Sequence, residues 1–180
     1  MNTVKRNNAL LLCVLTTTSL LLGSTDSRSS PLPIIEMRPT VFPMEMTRWY
    51  ECATAITAAS PVSDRELHRI FRAIRRYSPS SEPAFLQLAV AVAMTESNMN
   101  RIVQSPVGAV GLMQVTLIGA KEAERQCPVL RPTLGESDSA LLTRLLGLTD
   151  NVKYGTCLLD YYLKQAGGNM LHALVLFRSC

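Results

Sequence analysis

The residue best suited to acid–base chemistry is Glu96, in the run Thr95-Glu96-Ser97-Asn98. It closes the segment Ala84 to Thr95, which is apolar on nearly every face. An ionisable carboxyl at the end of so apolar a run is costly unless it has a partner or a task. Desolvation disfavours the charged form, and a carboxyl that keeps its proton can give it to a departing oxygen. The plainer alternative is that Glu96 marks the end of the buried part and points into solvent. No second acidic residue lies between Glu96 and Gln114; Glu122, Glu124, Asp138 and Asp150 follow further along. Metal chemistry finds little support. The cysteine spacings match no zinc site, and the only two histidines, His68 and His172, lie far from any Cys pair, so no metal or cofactor is expected.

The elements around Glu96 read as helices. A first helix is expected from Glu45 to about Ala59, stopped by Ser60-Pro61. A second begins at Ser63, with Glu66 three residues on as a capping box. Leu67, Ile70, Phe71 and Ile74 then recur at helical spacing. Arg65, Arg69, Arg72, Arg75 and Arg76 fall mostly on the other side, as a solvated face or, in a sharper reading, a glycan- or membrane-binding stripe. After a loop from Ser78 to Pro83, the Ala84–Thr95 segment is long and Ala/Leu-rich, favouring a centrally buried helix over a strand. Ser105 to Gly111 is a turn-rich connector, and a helical pattern resumes from Leu112 to Arg125. Cys127 to Ser137 is a loop, Ser139–Leu146 and Asn151–Gln165 are helices, and Gly167-Gly168-Asn169 breaks the chain before a last helix from Met170. No period-two alternation persists, so the fold class is mainly α.

The remainder of the chain bounds its setting. At 180 residues it holds one domain with a real core. Lys5 and Arg6 precede an uncharged stretch from Ala9 to Gly23 and a polar run from Ser24 to Ser30, the pattern of a secretory signal. A retained anchor is the alternative, since no Ala-x-Ala site follows; Cys13 makes a poor lipoprotein site because Leu12 before it is bulky. Residues 1–28 are therefore read as signal or anchor, 29–44 as a tether broken by Pro31, Pro33, Pro39 and Pro43, and 45–180 as the folded domain. The formal charge of +4 falls to +2 without Lys5 and Arg6, too small and scattered to argue for nucleic acid. Export would oxidise Cys52, Cys127, Cys157 and Cys180, which permit three pairings that sequence cannot choose among.

Three ordered blocks carry a resemblance. Glu96-Ser97 is followed by Ser105-Pro106-Val107-Gly108-Ala109-Val110 and then Gly111-Leu112-Met113-Gln114. Further on come Asn151-Val152-Lys153-Tyr154-Gly155, Leu158-Leu159 and Gly168-Asn169-Met170-Leu171-His172-Ala173-Leu174. Together these resemble the soluble lytic transglycosylase family, over about residues 63–180. Two departures stand out. Val115-Thr116-Leu117-Ile118-Gly119 replaces the family's proline and threonine, and Phe177-Arg178-Ser179-Cys180 replaces its closing Tyr-Asn-x-Gly.

The resemblance implies a lysozyme-like helical domain that cuts the β-1,4 bond between N-acetylmuramic acid and N-acetylglucosamine in peptidoglycan strands. It implies Glu96 as acid and then base, and Ser97 as an orienting group for the acid or the substrate's N-acetyl group. Gly108 and Gly111 would allow the tight turn. Gly111, Met113, Gln114 and Phe177 would line the substrate site, with core packing the bland alternative for Met113. Glycosidases usually pair two carboxylates, about 5 Å apart when retaining and wider when inverting. The family instead uses the muramic acid's own 6-hydroxyl, leaving a 1,6-anhydro end. A muramidase using one of the later acidic residues, and a non-catalytic glycan-binding module of an envelope machine, are the alternatives. Small members of the family serve secretion, conjugation or phage-entry machinery, with membrane contact here only through the N-terminal segment. Localisation is expected in the periplasm or cell envelope.

Overall fold

The computed structural model describes residues 47, 49–51, 53–54, 62–130 and 136–178. The expected signal segment, the Pro-rich tether, and Cys13, Cys52 and Cys180 lie outside the described residues. Residues 47, 49–51 and 53–54 are helical, in agreement with the first expected helix. Among the described residues six helices follow: α1 (Asp64–Tyr77), α2 (Pro83–Ser97), α3 (Leu117–Gln126), α4 (Asp138–Leu145), α5 (Leu148–Gln165) and α6 (Met170–Arg178).

Local chemistry explains most of the boundaries. Ser63 caps α1 by accepting the Glu66 N–H at 3.3 Å, while the Glu66 carboxylate turns outward to Arg69 and Arg101. Leu67, Ile70, Phe71 and Ile74 are buried. The five arginines of α1 are exposed, as a solvated face would be. Pro83 takes the first position of α2, where its missing N–H leaves nothing unsatisfied. Asn98 and Met99, both at positive φ (53° and 62°), end that helix. Gly167 and Gly168 adopt positive φ and separate α5 from α6.

One expected helix is shortened. Leu112–Val115 forms no helix, and α3 begins only at Leu117, behind the N-cap Thr116. Positive φ at Gly111 and Gln114 and a paired bridge between Val110 and Val115 hold this stretch as a buried turn. Its apolar residues follow a helical pattern because they enter the core from a loop, which periodicity cannot distinguish.

The apolar helix α2 is buried along most of its length, including Phe85, Leu86, Leu88, Val90, Val92 and Met94. The hub is nevertheless α5, which packs against all five other named helices. A disulfide joins Cys127, just beyond α3, to Cys157 in α5, with Cα atoms 6.4 Å apart. Among the described residues, no helix is long and apolar enough to cross a membrane.

Candidate active site

Glu96 occupies the last turn of α2, where the helix emerges from the core. The hydroxyls on either side of it bond back into the helix: Thr95 Oγ1 donates to the Ala91 carbonyl at 2.8 Å, and Ser97 Oγ to that of Ala93 at 2.9 Å. Ser97 is itself buried, so its proton is committed to the backbone. The Glu96 side chain keeps 19% exposure, and its Oε1 lies 3.2 Å from Nε of Arg178 at the end of α6. An ion pair faces the carboxyl.

The loop leaving α2 returns through the turn that contains Gly108 to Gln114. Ser105 Oγ accepts the Ala109 N–H, and the Gly111 N–H donates to the Val103 carbonyl at 2.8 Å. Gln114, at φ +49°, donates from Nε2 to the carbonyls of Val103 and Gly111. Its side-chain N–H groups thus brace the loop. Arg101 reaches Glu66 of α1 at 2.6 Å and ties the start of the loop down.

This turn is clamped from α5. The buried side chain of Asn151 accepts the Met113 N–H at 2.7 Å and donates to the carbonyls of Val110 and Leu145, each at 2.8 Å. Gly111 has two requirements at once. Its φ is +78°, and a Cβ there would come within 2.6 Å of Asn151 Cγ and 2.9 Å of the Leu145 carbonyl oxygen. Gly155, one helical turn beyond Asn151, admits Met113: a Cβ would meet its Sδ at 2.6 Å. Met113 is fully buried. The sequence blocks therefore interlock, with Asn151 and Gly155 gripping Gly111-Leu112-Met113-Gln114. Sequence reasoning missed this grip, although the four-residue spacing of Asn151 and Gly155 places both on one face of a helix.

Phe177 is buried, with 9% exposure, and directly precedes Arg178. The end of α6 reaches Glu96 through Arg178, the residue that stands where the resemblance places an asparagine. That pairing was not foreseen from the sequence.

The later acidic residues Glu122, Glu124, Asp138 and Asp150 are engaged elsewhere. Glu122 pairs with Arg125, which together with Gln126 holds its carboxyl below the usual range. Glu124 accepts from the Tyr154 hydroxyl at 2.7 Å. Burial, and then that bond, push the Tyr154 phenol up to about 12. Asp138 pairs with Lys121 at 2.8 Å. Asp150 lies 3.9 Å from Arg144, whose guanidinium also binds Glu136 and holds that carboxyl low.

The family model for the transglycosylase SLT domain matches residues 80–176, a span that contains Glu96, the clamped turn and α5. The chain belongs to this family. Among solved structures it is similar to a complex of the 70-kDa soluble lytic transglycosylase with bulgecin A, with a TM-score of 0.51 and 24% sequence identity. That likeness covers 74% of this chain and 21% of the other, so the chain spans about a fifth of the larger enzyme's length. At such identity the match establishes a shared lysozyme-like helical fold. A search of curated proteins finds no match.

Proposed function

We propose that the domain is a peptidoglycan lytic transglycosylase, with Glu96 as its acid and then its base. The observation that carries this reading is the position of Glu96. Its carboxyl emerges, partly buried, at the end of the apolar helix of a matched SLT domain. Glu96 would protonate the glycosidic oxygen as the bond to the muramic acid C1 breaks. The resulting carboxylate would then take the proton of that sugar's 6-hydroxyl as its oxygen closes on C1. The products are a strand with a free N-acetylglucosamine 4-hydroxyl and a 1,6-anhydro end, and no water is consumed. The engagement of Glu122, Glu124, Asp138 and Asp150 with their own partners favours this over hydrolysis, for which glycosidases usually pair a second carboxylate with the acid.

Met113 and Ser97 would support the site from within, and Gln114, Gly111 and Phe177 would shape its walls. The setting proposed is the cell envelope, with glycan strands as the partner. Glu96→Gln preserves shape and removes the transferable proton, so cleavage should fall by about 10²–10⁴-fold with an unchanged melting temperature. Mass spectrometry of muropeptides released from purified cell wall reads both points: anhydro ends identify the transglycosylase, and reducing ends would make it a muramidase. Cleavage retained by Glu96→Gln would remove this residue from the mechanism.

A further inference from the structure

Two helices that otherwise carry no acidic or basic residue except His172 meet through one ion pair. Glu96 is the only charged residue in α2, and Arg178 is the only Asp, Glu, Lys or Arg in α6. The two lie 3.2 Å apart, yet the arginine side chain remains 65% exposed. So open a pair is weakly held, because water screens the attraction and ordering a long side chain opposes it. The contact runs through Nε, and a guanidinium is a planar fork that can grip a second carboxylate through two N–H groups. Glu96 Oε1 is one of the two oxygens through which a proton could pass, and it is covered as long as Arg178 holds it.

We infer that Arg178 is a specificity residue that selects carboxylate-bearing glycan strands, exchanging its contact with Glu96 for a contact with the strand. The substrate class in this inference rests on the glycan-cleaving reading. A carboxylate on the strand competes with Glu96 for the guanidinium, and its success uncovers the acid. A neutral strand has nothing with which to draw the arginine away. The neutral asparagine that the resemblance places here could not make this distinction.

The test compares three soluble strand preparations: with free stem-peptide carboxylates, with those carboxylates amidated, and with peptides removed to leave a free lactyl carboxylate on each muramic acid. Wild type should bind carboxylate-bearing strands about two- to five-fold more tightly than amidated ones, the range of an exposed ion pair. Arg178→Gln should erase that preference by raising KM for the carboxylate-bearing strands while amidated strands, which then meet an uncovered acid, are used no worse, and Arg178→Lys should keep part of it. Glu96→Gln, which removes the competitor, should enlarge the preference, and this gain should vanish in the double variant with Arg178→Gln. The anionic preparation that keeps the preference identifies which carboxylate is read. Equal discrimination by wild type and Arg178→Gln overturns the inference, as does a Glu96→Gln variant with no gain. Charge-dependent binding without any cleavage would overturn the catalytic reading and support this one; cleavage without charge discrimination would do the reverse.

Discussion

Gln114 and Glu96 both belong to the candidate site, and their surroundings hold them in opposite ways. Gln114 ends a turn fixed by buried bonds: its own amide reaches two carbonyls, and Asn151 seizes the turn from α5 at Met113 and Val110. Shape repeats the constraint, since neither Gly111 nor Gly155 has room for a Cβ. Glu96 has one charged partner, mostly exposed, at the end of a helix. Buried hydrogen bonds are expensive to leave unmade, and exposed ion pairs are cheap to open. The frame of the site is therefore over-determined, and the Glu96 carboxyl is left free to change partner.

The largest effect on this contrast should come from the frame. Asn151→Ala leaves the Met113 N–H and the Leu145 carbonyl without their partner in the core, while the Val110 carbonyl keeps the Val115 N–H. Two orphaned groups at about 1–3 kcal/mol each, not fully additive, should lower stability by about 2–5 kcal/mol. Chemical denaturation would read the loss. A drop under about 1 kcal/mol would mean that the turn does not depend on α5.

The disulfide stiffens the same side. Cys127 and Cys157 are 30 residues apart in sequence and link the end of α3 to α5. Replacing both with alanine should cost about 3–4 kcal/mol on the chain-entropy account. A thermal melt of the double variant checks the loss, and alkylation with intact-mass measurement on exported wild type checks that the bond forms. An unchanged melt would break the assignment of this bond to the rigid frame.

The smallest effect concerns the loose side. Phe177→Tyr adds a hydroxyl one residue before Arg178, where the resemblance places a tyrosine. If the hydroxyl orients the acid or the sugar, it should raise turnover about two- to twelve-fold, the equivalent of one neutral hydrogen bond of about 0.5–1.5 kcal/mol. Release of anhydro-muropeptides by the two proteins side by side is the measurement. A change without any gain would show that a second contact does not sharpen the acid.

Much of the architecture was legible in the residues because the signals are local. Ser63, Pro83 and Gly167-Gly168 mark helix ends through backbone chemistry that involves only near neighbours. Continuous apolarity announced that α2 would be buried, and Glu96 drew notice by interrupting it. The helical pattern from Leu112 misled because burial of a turn and burial of a helix face select the same apolar residues. Only the tertiary structure decided that Asn151 and Gly155 grip that turn, that Cys127 takes Cys157 from three open pairings, and that Arg178 meets Glu96. Each of these contacts joins residues 30 or more positions apart. Spacing along the chain carries information about neighbours on one helix, and the packing of α3 and α6 against α5 determines which distant side chains meet.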